Sequence, residues 1–242
     1  MSRSAELART GLRGVGQILI TFGVVVLLFC YYELQITNIV AGRAQSELGD
    51  QLARTWSVAP VSRPAAIPIP SLGSAFARLY VPSLEDYSPK NVVEGVSVED
   101  LKKGGPGHIP GTALPGGLGN VVLSGHRTTY GAPFNRWDEL RSGAIVVLET
   151  QDSWFTYTVT GFAIVAPTAV EVTYAVPGDP TATPTRRLLT MTTCDPKYSA
   201  RERLIVSAEL TAQSRKTDGL PAALLPPTPV GPAPVGAAGS VG

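Results

Sequence analysis

The chain has 242 residues, a formal net charge of +1, two Cys and two His. A charge this close to zero lacks the basic stripe or patch of a nucleic-acid binder, and two Cys are too few for a zinc ribbon or a disulfide-stapled scaffold. Its 25 Gly and 21 Pro make up about a fifth of the sequence, above the usual ~12%, so part of the chain is expected to lie outside any packed core.

Residues 1–13 carry Arg3, Arg9 and Arg13, and residues 14–32 carry no charge. The uncharged run is mostly Val, Leu, Ile and Phe and as a helix spans roughly 28 Å, close to the hydrocarbon thickness of a bilayer. A cleaved signal peptide would have a shorter apolar region followed closely by a small-x-small site; here Glu33 to Asn38 reads Glu-Leu-Gln-Ile-Thr-Asn. The run is therefore expected to be an uncleaved membrane anchor, with Tyr31 and Tyr32 at the interface. The first basic residue after it is Arg43, so the positive-inside rule predicts a single-pass protein with its N-terminus in the cytoplasm and the rest outside.

Residues 33–74 form the next part. Leu34, Ile36, Ile39, Val40, Leu48 and Leu52 have helical spacing and predict a juxtamembrane stalk. The segment SVAPVSRPAAIPIPS, residues 57–71, has four prolines and predicts a semi-rigid extended spacer. From residue 75 to residue 214 the texture becomes β-rich: ARLYVPSL, NVVLSGH, AIVVLET, WFTYTVTGFAIVA, AVEVTYAV, RRLLTMTTC and RLIVSAELTA are separated by turn residues. Period-two alternation, as in Phe155-Tyr157-Val159 against Trp154-Thr156-Thr158-Thr160, predicts an all-β domain, closed or sandwich-like. A short helix is expected over residues 133–140. Residues 215–242, with six prolines and no aromatic residue, are expected to form a disordered tail.

In the predicted topology Cys30 lies in the bilayer and Cys194 outside it, so the two cannot pair. Cys30 is one apolar residue among others. Cys194 ends a strand-like run and precedes the turn signal Asp195-Pro196; His126 ends another run at a strand-to-loop junction. A Cys and a His on separate strand ends suit a nucleophile and its base, which meet in space rather than in sequence. A Cys at a strand end taken alone is more often a buried structural thiol. Arg201 and Arg203 open the following strand with the same parity, and either could face a developing oxyanion or simply solvent. His108, in the Gly/Pro-rich GGPGHIPGTALPG, reads as a loop histidine bonded locally. No HxH, HExxH, CxxC or EF-hand spacing is present, so no metal or other cofactor is called for.

Thr190-Met191-Thr192-Thr193-Cys194, with Arg203 nine residues on, resembles the sortase signature T-L-x-T-C followed by an Arg on the next strand. Ser-Gly-His-Arg around His126 is similar to that family's histidine block, and GHRTTYGAPFNRWDEL and CDPKYSARERLIVSAEL look like the class E sortases of actinobacteria. Met191 departs from the usual Leu, an apolar exchange of similar volume. The resemblance implies a closed eight-stranded β-barrel with short helices. It also implies a cysteine transpeptidase that cleaves an LPXTG- or LAXTG-like sorting signal on secreted proteins between Thr and Gly. The acceptor would be a cell-wall peptide amine such as that of lipid II. Carried onto this chain, Cys194 is the nucleophile, His126 the acid and base, and Arg203 the holder of substrate or oxyanion. Thr193 would aid the oxyanion hole through its N–H or hydroxyl. Two other readings compete: a pilin-polymerising sortase, and a non-enzymatic membrane-anchored barrel that uses Cys194 as a core thiol. An L,D-transpeptidase fits poorly, because its His lies a few residues before its Cys.

Overall fold

Strands with one apolar face must bury it, and among the described residues eight of them do so by rolling into a closed barrel. The computed structural model describes residues 3–57 and 67–225. The strands are β1 (Ala75–Tyr80), β2 (Lys90–Glu94), β3 (Gly107–His108), β4 (Gly119–Ser124), β5 (Ile145–Glu149), β6 (Ser153–Val165), β7 (Arg187–Asp195) and β8 (Glu202–Arg215). Their order around the barrel is β1-β2-β3-β4-β7-β8-β6-β5, with β5 returning to β1. Most neighbours are antiparallel, but β2 with β3 and β4 with β7 are parallel.

The alternation read from the sequence becomes the inner wall. Val121 and Leu123 of β4, Phe155, Tyr157 and Val159 of β6, Leu189 and Met191 of β7, and Val206 and Ala208 of β8 all point inward and are buried. Each large apolar side chain removed from water stabilises the fold by about 1.5–3 kcal/mol. Met191 is fully buried there, so the position accepts its side chain. Phe134 and Trp137 stack at 4.2 Å between ring centroids and add to this core.

Several expectations need correction. AVEVTYAV is not a strand: Val170–Thr173 is a single 3-10 turn. Its neighbourhood is held by a side chain, with Asn120 Nδ2 donating to the Val172 and Tyr174 carbonyls. A closed barrel offers no free edge for a further strand to join. Strands β2 and β3 were not among the β-rich runs, and β3 has only two residues. His108 sits on β3 and is buried, with Nδ1 2.6 Å from Glu94 Oε2 on β2 and Nε2 3.0 Å from the Ala113 carbonyl. The expected local bonding is present, to the Ala113 carbonyl and the Thr112 hydroxyl, but the residue belongs to a strand and its Glu94 contact also ties β3 to β2. The helix expected over residues 133–140 is only the 3-10 turn Trp137–Glu139.

Ahead of the barrel, α1 (Arg3–Tyr31) runs through a π-helical turn, Tyr32–Ile36, into α2 (Thr37–Trp56). Within α1, Arg9–Tyr31 is long and apolar enough to cross a membrane by length and composition, and its side chains are exposed along the helix. Helix α2 is not a free stalk. Ala41, Leu48 and Leu52 are buried against the barrel. Gln45 Oε1 accepts from the Asn91 N–H, its Nε2 donates to the Asn91 and Lys103 carbonyls, and its own carbonyl accepts from Asn91 Nδ2. Of the expected spacer, residues 58–66 lie outside the described residues, and Ile67 packs against the core. The expected tail does not begin at residue 215. Strand β8 includes Arg215, and Lys216 Nζ lies 2.6 Å from Glu149 Oε1 and 3.8 Å from the centre of the Trp56 ring. Residues 226–242 of that tail lie outside the described residues.

Gln45→Ala removes the partner of a buried strand N–H. It is expected to cost about 2 kcal/mol, a fall of roughly 5 °C in Tm. Calorimetry on the whole chain measures this, and an unchanged Tm would mean that α2 does not unfold with the barrel.

Candidate active site

Strand direction brings the chemistry to one rim of the barrel. Strands β4 and β7 run parallel, with Val122 beside Thr190 and Ser124 beside Thr192. Both strands therefore end at the same rim. Two bonds carry the pairing one step further: the Gly125 N–H donates to the Thr192 carbonyl at 3.2 Å, and the Thr193 hydroxyl donates to the Gly125 carbonyl at 2.8 Å. His126 stands two residues past Ser124 and Cys194 two past Thr192, so the chains deliver them at the same level. Strand β8 begins at that rim and runs back, placing Arg203 directly opposite Cys194 in the antiparallel ladder. Residues paired this way share a face, with Cβ atoms about 5 Å apart.

Gly125 makes this close approach possible. A Cβ there would come within 2.9 Å of the Phe134 ring, so the residue before His126 must lack one. After His126 the chain turns back, with the Phe134 N–H donating to the His126 carbonyl at 3.1 Å. The imidazole is half-buried and lies 5.2 Å from the Tyr130 ring, centroid to centroid. Burial pushes its pKa below the ordinary 6.5, because a charged ring loses hydration there. The shift favours the neutral ring, the form that can accept a proton.

Cys194 is half-buried and free, on the outer face of β7 with Thr192. Thr193 points the other way, into the wall, and is buried. Its hydroxyl proton goes to the Gly125 carbonyl, so the hydroxyl does not serve an oxyanion hole; it fastens β7 to the turn carrying His126. The Arg203 guanidinium folds over the β7–β8 turn, Nη1 donating to the Ala200 and Glu202 carbonyls at 3.0 and 2.9 Å. Arg201, its neighbour by parity, lies in the turn and is exposed. Cys30 sits exposed on α1, far along the chain from this rim.

Sequence reasoning missed Arg127. In the sequence it is one letter of the histidine block, yet its side chain is 4% exposed and joins both halves of the site. Nη1 donates to the Cys194 carbonyl at 3.0 Å and to Asp195 Oδ1 at 2.8 Å. Nη2 lies 3.2 Å from Asp138 Oδ1, and Nε donates to the Asn135 carbonyl at 3.3 Å. Asn135 Nδ2 returns a bond to the Arg127 carbonyl. A buried guanidinium is tolerable only when its donors are met by carboxylates and carbonyls in this way. The sole signal in the sequence was an Arg directly after the His.

Residues 79–211, more than half of the chain, match the Sortase domain family model. Sortase SrtE1 of Streptomyces coelicolor is 32% identical over 231 residues, covering 93% of this chain and 64% of its own length. The chain thus spans just under two thirds of that relative. Sortase SrtE2 of the same organism is 31% identical, covering 90% of this chain and 88% of its own. Among solved structures, sortase E from Streptomyces avermitilis is 42% identical with a TM-score of 0.58, covering 64% of this chain and 99% of that one. The barrel, the rim that gathers His126, Cys194 and Arg203, and these likenesses place the chain in the sortase family.

Proposed function

We propose that this protein is a membrane-anchored transpeptidase of class E type, working through Cys194. The observation that carries the reading is the rim itself: Cys194 in register with Arg203, and His126 delivered to the same level by the parallel ladder. Helix α1 holds the chain in the membrane in a single pass, its N-terminus cytoplasmic and the barrel outside.

The substrate is a secreted protein with an LPXTG- or LAXTG-like signal. As the Cys194 sulfur attacks the Thr carbonyl, its proton passes to the neutral His126 imidazole. The new S–C bond creates an oxyanion, which the Arg203 guanidinium stabilises; Nη1 is already braced on two carbonyls, so the group is preorganised. Collapse breaks the Thr–Gly bond, and imidazolium returns the proton to the departing Gly amine. A cell-wall peptide amine, as on lipid II, then gives a proton to His126 and attacks the thioester. The S–C bond breaks and the thiol reforms. Thr193 serves as a positioning residue through Gly125. Enzyme and substrate are both held at one membrane, which raises their effective concentration.

The full chain, given LPXTG and LAXTG peptides with an amine acceptor, should form a peptide–amine product visible by mass spectrometry. Cys194→Ala should abolish both the thioester adduct and the product; acyl transfer by that variant would remove Cys194 as nucleophile. His126→Ala should lower kcat/KM by about 10²–10⁴ and Arg203→Ala by about 10²–10³. Transfer onto a protein lysine in preference to the wall-peptide amine would mark a pilin-polymerising enzyme instead.

A pH profile tests the state of His126. Its neutral form accepts the thiol proton and its pKa lies below 6.5, so kcat/KM should fall only as pH drops beneath that value. Tyr130→Ala opens the ring to water and should move that acidic limb up toward 6.5. A limb that stays in place would show that Tyr130 does not bury the imidazole.

A further inference from the structure

We propose that the Cys194 rim of the barrel faces the bilayer and rests on its lipid surface, with the opposite end turned away. This deepens the reading above and rests on α1 being a membrane anchor. The argument starts from α2, which is fixed to the barrel at both of its ends.

At its first turn, Asn38 Oδ1 accepts from the Gly131 N–H at 2.8 Å, and Gly131 belongs to the loop that follows His126. Ala41, one turn on, is fully buried, and a Cβ on Gly104 would come within 2.7 Å of its own. At the last turn, Trp56 lies under Lys216, which follows β8 and pairs with Glu149 at the end of β5. Those positions lie at the opposite end of the barrel from Cys194, since β8 starts beside Cys194 and ends at Arg215. Helix α2 therefore runs from the catalytic rim to the far end.

The backbone stays helical from α1 through the π-helical turn into α2, leaving no loop that could swing the barrel over. Tyr31 ends the apolar span seven residues before Asn38, which is about 10 Å along a helix. The rim beside Asn38 then sits within a headgroup layer of the hydrocarbon. A barrel facing the other way would need α2 to reverse on its own binding face.

The rim suits that contact. Tyr198, at the tip of the β7–β8 turn, is 79% exposed, with the exposed Arg201 and with Lys197, whose Nζ lies 3.5 Å from Asp138 Oδ1, on either side. Tyrosine settles at the interface between headgroups and acyl chains, and cations there meet lipid phosphates. Phe162 and Ile164, on the part of β6 that runs up to the rim, and Ile39 and Val40 on α2 are also exposed. Exposed apolar side chains occur away from the rim too, as at Ile69 and Leu72, so exposure alone does not choose the face; the helix does. The consequence is chemical: a signal peptide still held in the membrane meets Cys194 without having to span the barrel.

The test uses the full chain with Cys30→Ala and Cys194→Ala, carrying one fluorophore on Tyr198→Cys, Asp152→Cys or Val25→Cys. Each is reconstituted in phosphatidylglycerol–phosphatidylcholine vesicles with brominated acyl chains as quenchers. The probes at 25 and 198 should lose most of their emission, and the probe at 152, on the β5–β6 turn, should keep it. Quenching at 25 with none at 198 would overturn the proposal while leaving the anchor intact. Absence of quenching at 25 would remove the anchor reading and this proposal together.

Discussion

The site depends on one pairing, the parallel ladder between β4 and β7. Parallel strands end at the same side of a sheet, whereas antiparallel strands end at opposite sides. Had β4 and β7 been antiparallel, His126 and Cys194 would stand at opposite ends of the barrel. The antiparallel pairing of β7 with β8 complements this, because the start of β8 must lie beside the end of β7. Two strand ends and one strand start thus converge, and they bring an imidazole, a thiol and a guanidinium to one rim. Closure of the barrel holds the arrangement, since no strand can slip without breaking pairing on both sides.

Where the ladder ends, side chains take over. Gly125 and Thr193 extend it by two bonds, and Arg127 then crosses from the His126 turn to the Cys194 carbonyl. A guanidinium with almost no exposure is costly to bury, and its worth lies in what it fixes. It is met by Asp195 on the Cys194 side and by Asp138 and the Asn135 carbonyl on the other. Either half moving alone would strand a charge in a poorly hydrated place, a penalty of about 3–5 kcal/mol. The segments that carry Cys194 and His126 are therefore coupled electrostatically and do not depend on strand pairing alone.

Residues that act through periodicity were readable, and those that act through distant partners were not. Strands β4 to β8 show alternating or apolar runs long enough to stand out, and Cys194, His126 and Arg203 are marked by their positions at strand ends. Strand β3, with two residues, is too short to show a period, and β2, Lys-Asn-Val-Val-Glu, has only two adjacent apolar residues, where β5 has four. The pattern in AVEVTYAV misled because alternation describes a segment and says nothing about whether a sheet edge is available to it. His108 looked local because Glu94, 14 residues earlier, could not be assigned to it. The helical spacing of α2 was visible, but its docking depends on Gln45 meeting Asn91, 46 residues away. Arg127 presents the same difficulty in a sharper form. A surface arginine and a buried clasp are the same letter, and only the folded neighbours distinguish them.

These couplings meet on the segment between His126 and Gly131. Arg127 fastens the segment to the Cys194 backbone, the Tyr130 ring lies 5.2 Å from the His126 imidazole, and Gly131 donates to α2. Tyr130 and Ala132, on either side of Gly131, both sit at positive φ, where non-glycine residues are uncommon, so the tight path that sets these contacts is imposed by the surroundings. A shift of α2 against the barrel would therefore be felt first at Gly131, whose N–H it holds, and so in the short segment whose other end carries His126 and the Arg127 clasp on the Cys194 carbonyl.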